Sequence, residues 1–170
     1  MEVLIITGAC GVGKSTLAQA WAKLKNGATI ECDYLTEWIY KADFPHWTVE
    51  EEKFVAETTL VLAQQYLKYG MPVAIENVWS PLGIQMLVDG LQKLTHVSSI
   101  KVVWLYCALE ENQRRDQLRK PENRMNERVA IVMQEQRNHP WPDYVHLIDT
   151  GTLSVAQTLG AIEELPVVKC

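Results

Sequence analysis

The chain has 170 residues, of which 48% are hydrophobic and 22% charged, a composition typical of one globular domain and unlike that of a disordered segment. Its formal net charge of −5, from 16 basic and 21 acidic residues, argues against nucleic-acid binding but does not exclude a local phosphate site. No apolar run approaches the roughly 20 residues that cross a bilayer, so we expect a cytoplasmic protein without a membrane partner. The four cysteines form no CxxC pair, which favours free thiols, with Cys32 and Cys107 buried.

Short apolar runs alternate with longer helical patterns, and no linker or repeat interrupts them, so we expect one domain over residues 1–170. The apolar runs predict five strands, over residues 3–7, 28–31, 72–75, 100–106 and 145–148. Thr48 and Glu51 predict a capping box, and Pro121 is expected to break a long polar helix in two. The predicted helices cover residues 15–25, 34–42, 48–70, 81–93, 110–137 and 154–164. Strands separated by helices indicate an α/β fold with three layers and a parallel sheet.

A glycine-rich motif lies between the first strand and the first helix. Residues 8–15 read GACGVGKS and fit the pattern GxxxxGK[ST], which is followed here by Thr16. The glycines let successive backbone N–H groups point at phosphate oxygens, while the lysine lies against the β- and γ-phosphates and the serine hydroxyl ligates Mg²⁺. The motif therefore predicts a nucleotide-binding loop formed by Gly8, Gly11, Val12, Gly13, Lys14, Ser15 and Thr16, with Ser15 as a metal ligand.

No NKxD motif follows, which argues against a GTPase. The sequence instead resembles the P-loop small-molecule kinases, the group of gluconate kinase, shikimate kinase, chloramphenicol phosphotransferase and the zeta-toxin-like kinases. The resemblance covers GACGVGKST, the ECD after the second strand, RRDQLRK and the terminal IDTGTLSVAQTL. It implies a five-stranded parallel sheet of order 2-3-1-4-5 and a helical lid over about residues 110–138. It also implies ATP and Mg²⁺ as cofactors and a small molecule that receives the γ-phosphate on a hydroxyl.

Two carboxylates follow predicted strands, where open α/β sheets bind their ligands. Asp33 occupies the place of the acidic residue that such kinases carry after strand two, and a carboxylate there can take the proton of the acceptor hydroxyl. The alternative is that Asp33 caps the following helix. Glu76 ends the third strand and is a candidate to replace the absent Walker-B aspartate beside Mg²⁺, or to touch the acceptor.

Arginines cluster after the fourth strand. Arg115 and Arg119 match the RxxxR of the family's lid, and by that resemblance Arg115 stacks on the adenine and Arg119 reaches the phosphates. Arg124 is a candidate contact to the acceptor. The alternative is a solvated helix with ion pairs such as Glu111–Arg115.

Aromatic residues and a histidine are the candidate wall of the acceptor site. His46 and Trp47 lie between the second and third helices, and Trp79 follows Glu76. A nucleoside or nucleotide kinase remains an alternative, but residues 34–70 hold only three basic lysines for an acceptor phosphate. A nucleotide-binding regulatory module with little transfer activity is another. The sequence names neither the acceptor nor the oligomeric state, which we expect to be a monomer or a homodimer.

Overall fold

The computed structural model describes residues 1–168, so Cys170 lies outside the described residues. Its strands are β1 (Glu2–Gly8), β2 (Ala28–Glu31), β3 (Val73–Glu76), β4 (Ser99–Tyr106) and β5 (Val145–Asp149). Its helices are α1 (Lys14–Leu24), α2 (Tyr34–Glu37), α3 (Val49–Lys68), α4 (Pro81–Leu91), α5 (Leu109–Gln117), α6 (Arg128–Asn138) and α7 (Val155–Glu163). A short 3₁₀ turn, Pro121–Asn123, separates α5 from α6, so the predicted break at Pro121 is confirmed.

All five strands are parallel and lie in the order β2-β3-β1-β4-β5, as the family resemblance implied. The central strand β1 is apolar on both faces, because helices cover both sides of the sheet. Val3 and Ile5 pack with α3 and α4 on one face, and Leu4 and Ile6 pack with α1, α6 and α7 on the other. The three-layer α/β fold is therefore confirmed.

Helix α2 is shorter than the sequence predicts, since it spans Tyr34–Glu37 rather than residues 34–42. None of its residues is buried, and Trp38 and Tyr40 are 71% and 88% exposed. Only Leu35 of this helix packs, partly buried, against the core, and so little packing does not stabilise further turns. The chain from residue 38 to residue 48 therefore runs as a connection outside any helix.

The sheet brings the ends of β1 and β3 together. Ile6 pairs with Glu76, and Glu31 at the end of β2 pairs with the same residue from the other side. Because all strands are parallel, the loops after Gly8, Glu31 and Glu76 leave the sheet at one edge. Among the described residues, no helix is both long and apolar enough to cross a bilayer.

Candidate active site

The loop between β1 and α1 has the backbone of a phosphate cradle. Gly8, Gly11 and Gly13 have φ angles of +145°, +88° and +101°, which residues with a Cβ rarely adopt. A Cβ on Gly8 would also lie 2.5 Å from the carbonyl oxygen of Leu105 in β4. Glycine is therefore required for both the curl of the loop and its approach to the sheet. The loop leads directly into α1, whose N-terminus carries a partial positive charge.

A cleft of about 370 Å³ opens over this loop. Arg115 from α5 and Arg119 from the segment after it line this cleft with the loop, so the structure brings these predicted residues together with the loop. The cleft is lined by loop and helix residues 11–17, by Leu105, Arg115 and Arg119, and by Thr150, Leu153, Val155 and Thr158 after β5. Sequence reasoning gave Thr150 and Leu153 no role. Thr150 directly follows a strand, and the rule that led to Asp33 and Glu76 would have found it.

The polar side chains of the loop are paired with protein groups. The Lys14 ammonium donates to the carbonyl oxygen of Ala9 at 3.3 Å, and the Ser15 hydroxyl donates to Oε1 of Glu76 at 2.7 Å. Glu76 is only 3% exposed. Burial raises the pKa of Glu76, the charges of Asp33 and Glu31 act in the same direction, and Lys14 and Ser15 oppose them. The Glu76 carboxylate, the candidate replacement for a Walker-B aspartate, therefore lies directly against the predicted metal ligand Ser15.

Asp33 is exposed at the carboxyl end of β2. Its side chain makes no capping hydrogen bond to α2, so the alternative role as a helix cap is not supported. Its charge acts on Glu76, which places the two carboxylates within electrostatic reach of each other. An exposed, uncommitted carboxylate is the kind of group that can accept a proton from a substrate.

Arg115 is fixed in place by three groups. Its guanidinium donates to Oε1 of Glu111 at 2.7 Å and to the backbone oxygen of Thr150 at 2.7 Å, with Thr150 Oγ1 at 3.3 Å. The Thr150 hydroxyl in turn donates to the carbonyl of Val12 in the loop at 2.9 Å. Hydrogen bonds from Arg114 and Arg115 lower the pKa of Glu111 to about 2. The Glu111–Arg115 ion pair is thus present, and it orients an arginine that also lines the cleft.

Arg119 and Arg124 belong to the segment between α5 and α6. Arg119 lies 3.8 Å from the buried carboxylate of Asp116, which also accepts hydrogen bonds from the backbone N–H groups of Met125 and Asn126. Arg124 Nε donates to the backbone oxygen of Arg119 at 3.1 Å, and Arg124 does not line the cleft. Asp116 therefore organises the chain that carries both arginines.

The connection before α3 presents an aromatic side chain to solvent. Trp47 is 79% exposed and its ring lies 4.4 Å from the guanidinium carbon of Arg128, at the start of α6. The expected capping box is incomplete: Thr48 Oγ1 accepts from the Glu51 N–H, but the Glu51 carboxylate binds His46 Nδ1 at 3.1 Å and the Trp47 N–H instead. Glu51 thereby fixes His46 and Trp47 against the first turn of α3.

The prediction that Trp79 contacts the acceptor is wrong. Trp79 is 0% exposed, and its indole packs in the core between the sheet and helices α3 and α4. Its backbone N–H donates to Thr7 Oγ1 at 2.9 Å, and its carbonyl accepts from Gln136 Nε2 of α6 at 2.9 Å. The backbone of Trp79 does lie after the carboxyl end of a strand, as expected. Burying its large apolar side chain in the core, however, is more favourable in free energy than exposing it in the cleft.

No protein-family model and no curated protein matches the chain. Solved structures do match. A gluconokinase from Sinorhizobium meliloti 1021 is 15% identical over 96% of this chain and 91% of its own, with a TM-score of 0.69. A sugar kinase from Janibacter sp. HTCC2649 is 15% identical over 97% and 95%, with a TM-score of 0.74. A shikimate kinase from Bacteroides thetaiotaomicron is 16% identical over 96% and 97%, with a TM-score of 0.51. The expected resemblance is confirmed at the level of architecture, and the chain has the fold of the P-loop small-molecule kinases.

Proposed function

We propose that the chain is an ATP-dependent phosphotransferase that transfers the γ-phosphate to a hydroxyl group of a small molecule. The observation that carries the proposal is the Ser15–Glu76 hydrogen bond of 2.7 Å beneath the glycine-rich loop. It joins the predicted metal ligand to a buried carboxylate at the edge where three strands end. The structural neighbours that are kinases support the same reaction class.

The residues of the cleft fit a nucleoside triphosphate. The backbone N–H groups of the loop, Lys14 and Thr16 would hold its phosphates, and the cleft above them, with Leu153 and Val155, suits a planar base. Arg115, held by Thr150, would lie against the base. Two of the loop glycines, Gly11 and Gly13, allow the peptide orientations that such binding needs.

The residues at the sheet edge also fit Mg²⁺, which prefers carboxylate and hydroxyl oxygens and keeps several waters. Ser15 would ligate the ion, and Glu76 would hold it or one of its waters. Bound Mg-ATP supplies the phosphoryl group, and its Mg²⁺ would neutralise part of the negative charge on the phosphates. Asp33 takes the proton of the attacking hydroxyl, and Arg119 stabilises the charge on the transferring group. A positioned base of this kind contributes about 10²–10⁴-fold to a rate.

The acceptor would lie beside the connection before α3. His46 and Trp47 are fixed there by Glu51, and we assign Arg124, in the segment between α5 and α6, to the same acceptor. The net charge of −5 supports a small-molecule acceptor over a nucleic acid. We further propose that the protein works in the cytoplasm as a monomer or a homodimer.

The proposal is tested by ADP release from Mg-ATP with a panel of sugars, sugar acids, shikimate, nucleosides and hydroxylated antibiotics. We expect one acceptor class to stimulate ADP release, and Lys14→Ala and Asp33→Asn to abolish that stimulation. Asp89→Asn is the matched control, because it makes the same change at an exposed carboxylate of α4. ATP binding without stimulation by any acceptor, together with an unchanged Asp33→Asn variant, would contradict transfer and favour a nucleotide-binding regulatory module.

A further inference from the structure

Asn112 is a buried amide that lies against the glycine-rich loop without a hydrogen-bond partner. It belongs to α5 and is 0% exposed, and neither its Nδ2 nor its Oδ1 is paired within residues 1–168. A Cβ built on Gly11 would lie 2.3 Å from Asn112 Oδ1, so the amide directly abuts the loop backbone. Nearly all buried polar groups in native proteins form hydrogen bonds. We therefore expect the Asn112 amide to have a hydrogen-bond partner in the functional state of the protein.

The position of Asn112 on α5 connects the loop with the candidate lid. Arg115 and Asp116 lie three and four residues further on, and therefore on the same face of the helix. Arg115 reaches Thr150 after β5, and Asp116 binds the backbone of Met125 and Asn126. The helix that orients the nucleotide-facing arginine is thus packed on the loop through Asn112.

The loop itself has a bond that bound phosphates would replace. Lys14 donates to the carbonyl oxygen of Ala9, two residues before Gly11. In the proposed function the Lys14 ammonium turns to the phosphates, which releases the Ala9 carbonyl. Glycine at position 11, with a φ of +88°, places no side chain in the way of a peptide rotation there. Apart from the Val12 carbonyl, which Thr150 binds, the backbone groups of residues 9–12 are then free to pair with Asn112.

We propose that Asn112 is a positioning residue whose side-chain amide pairs with a backbone group of residues 9–12 only when nucleotide phosphates occupy the loop. This inference rests on the proposed function, because it requires nucleotide in the cleft. Its consequence is that nucleotide binding fixes α5, and with it Arg115, in the arrangement that faces the loop. Asn112 itself touches neither nucleotide nor acceptor.

The test separates stability without ligand from affinity for nucleotide. Asn112→Leu keeps a branched side chain of similar size and removes both polar atoms. We expect its urea midpoint without ligand to equal or exceed that of the wild type, since an unpaired buried amide is lost. We expect Mg-ADP to bind about 3–10-fold more weakly in calorimetry, the loss of one ordinary hydrogen bond. Gln113→Leu, at the exposed neighbouring position of α5, is the control and should leave the affinity unchanged.

Lower stability of the unliganded Asn112→Leu variant, or an unchanged Mg-ADP affinity, overturns the inference. If the variant does not fold, the side-chain amide resonances of Asn112 in the ¹⁵N-labelled wild type decide the question. They should shift and exchange more slowly with solvent when Mg-ADP is added, and resonances that stay the same refute the proposal. Wild-type protein that binds no Mg-ADP would overturn the proposed function as well. Binding with unaltered Asn112 resonances would overturn this inference alone.

Discussion

Replacing Glu76 by glutamine should stabilise the unliganded protein near neutral pH and weaken its use of Mg²⁺. The Glu76 carboxylate is almost completely buried, and Asp33 and Glu31 add negative charge near it. Glutamine has nearly the same shape, and its amide oxygen can still accept the hydrogen bond from Ser15. The substitution therefore removes a buried charge without opening a cavity.

The sign of the pH dependence follows from the raised pKa of Glu76. The folded state binds this proton more tightly than the unfolded state, whose carboxyl has a pKa near 4.5. The free energy of unfolding of the wild type therefore falls as pH rises from the unfolded pKa through the folded one. Each unit by which burial raises the pKa costs about 1.4 kcal/mol above both values. The Glu76→Gln variant lacks this loss, so its advantage should be absent below the unfolded pKa and should grow as pH rises through the folded one.

Urea unfolding at pH 4 and pH 7.5 measures the stability difference, with Glu57→Gln on the exposed face of α3 as the control. The Mg²⁺ dependence of ADP release measures the weakened use of Mg²⁺. Loss of a carboxylate near a metal typically lowers the affinity for the metal by about 10–100-fold. A Glu76→Gln variant that is less stable at pH 7.5 would refute the argument from burial. An unchanged Mg²⁺ requirement would refute its role beside the metal.

Three further predictions follow from single contacts. Gly11→Ala should abolish Mg-ADP binding in calorimetry, because the added methyl group would lie 2.3 Å from Asn112 Oδ1 and the backbone φ at this position is +88°. The control Gly160→Ala in α7, where a Cβ meets nothing within 4 Å, should leave binding unchanged. Thr150→Val should lower the free energy of unfolding in urea by about 1–3 kcal/mol, since it leaves a loop carbonyl unpaired; an unchanged value would show that this bond contributes nothing. Cys32 and Cys107 should resist thiol reagents at pH 7.5 until the protein is unfolded, because burial raises both thiol pKa values; peptide mapping that finds native-state labelling of Cys32 would contradict this.

The fold was predictable because its signals are local and agree with one another. The apolar run before the glycine-rich motif and the helical pattern after it predict β1 and α1, and Pro121 marks the break between α5 and α6. The strand order itself came from the family resemblance, since apolar runs alone do not say which strands are neighbours. Once β3 is placed beside β1, the contact between Glu76 and Ser15 follows from their positions at the strand ends.

The site was less predictable where a side chain's direction decides its role. Glu76 ends β3 and Trp79 follows it by three residues, yet Trp79 packs into the core and Glu76 faces the loop. Asn112 lies in a very polar helix, and its sequence context is that of a surface residue although it is completely buried. The Glu51 carboxylate binds one residue earlier than a capping box requires, because the chain turns at Trp47 with a φ of +60°. Such choices depend on packing between elements that sequence spacing does not encode.

The segment between α5 and α6 is held at both of its ends. Helix α5 is tied to the loop after β5 through Arg115, and α6 is tied to the loop after β3 by the buried hydrogen bond from Gln136 to the Trp79 carbonyl. Between them, residues 118–127 are mostly exposed and are gathered by Asp116. Since these exposed residues have less packing than either helix, they would move more readily than the helices when a ligand enters the cleft. The rate at which a ligand enters or leaves the cleft would then depend on the hydrogen bonds of the Asp116 carboxylate rather than on the separation of a helix from the sheet.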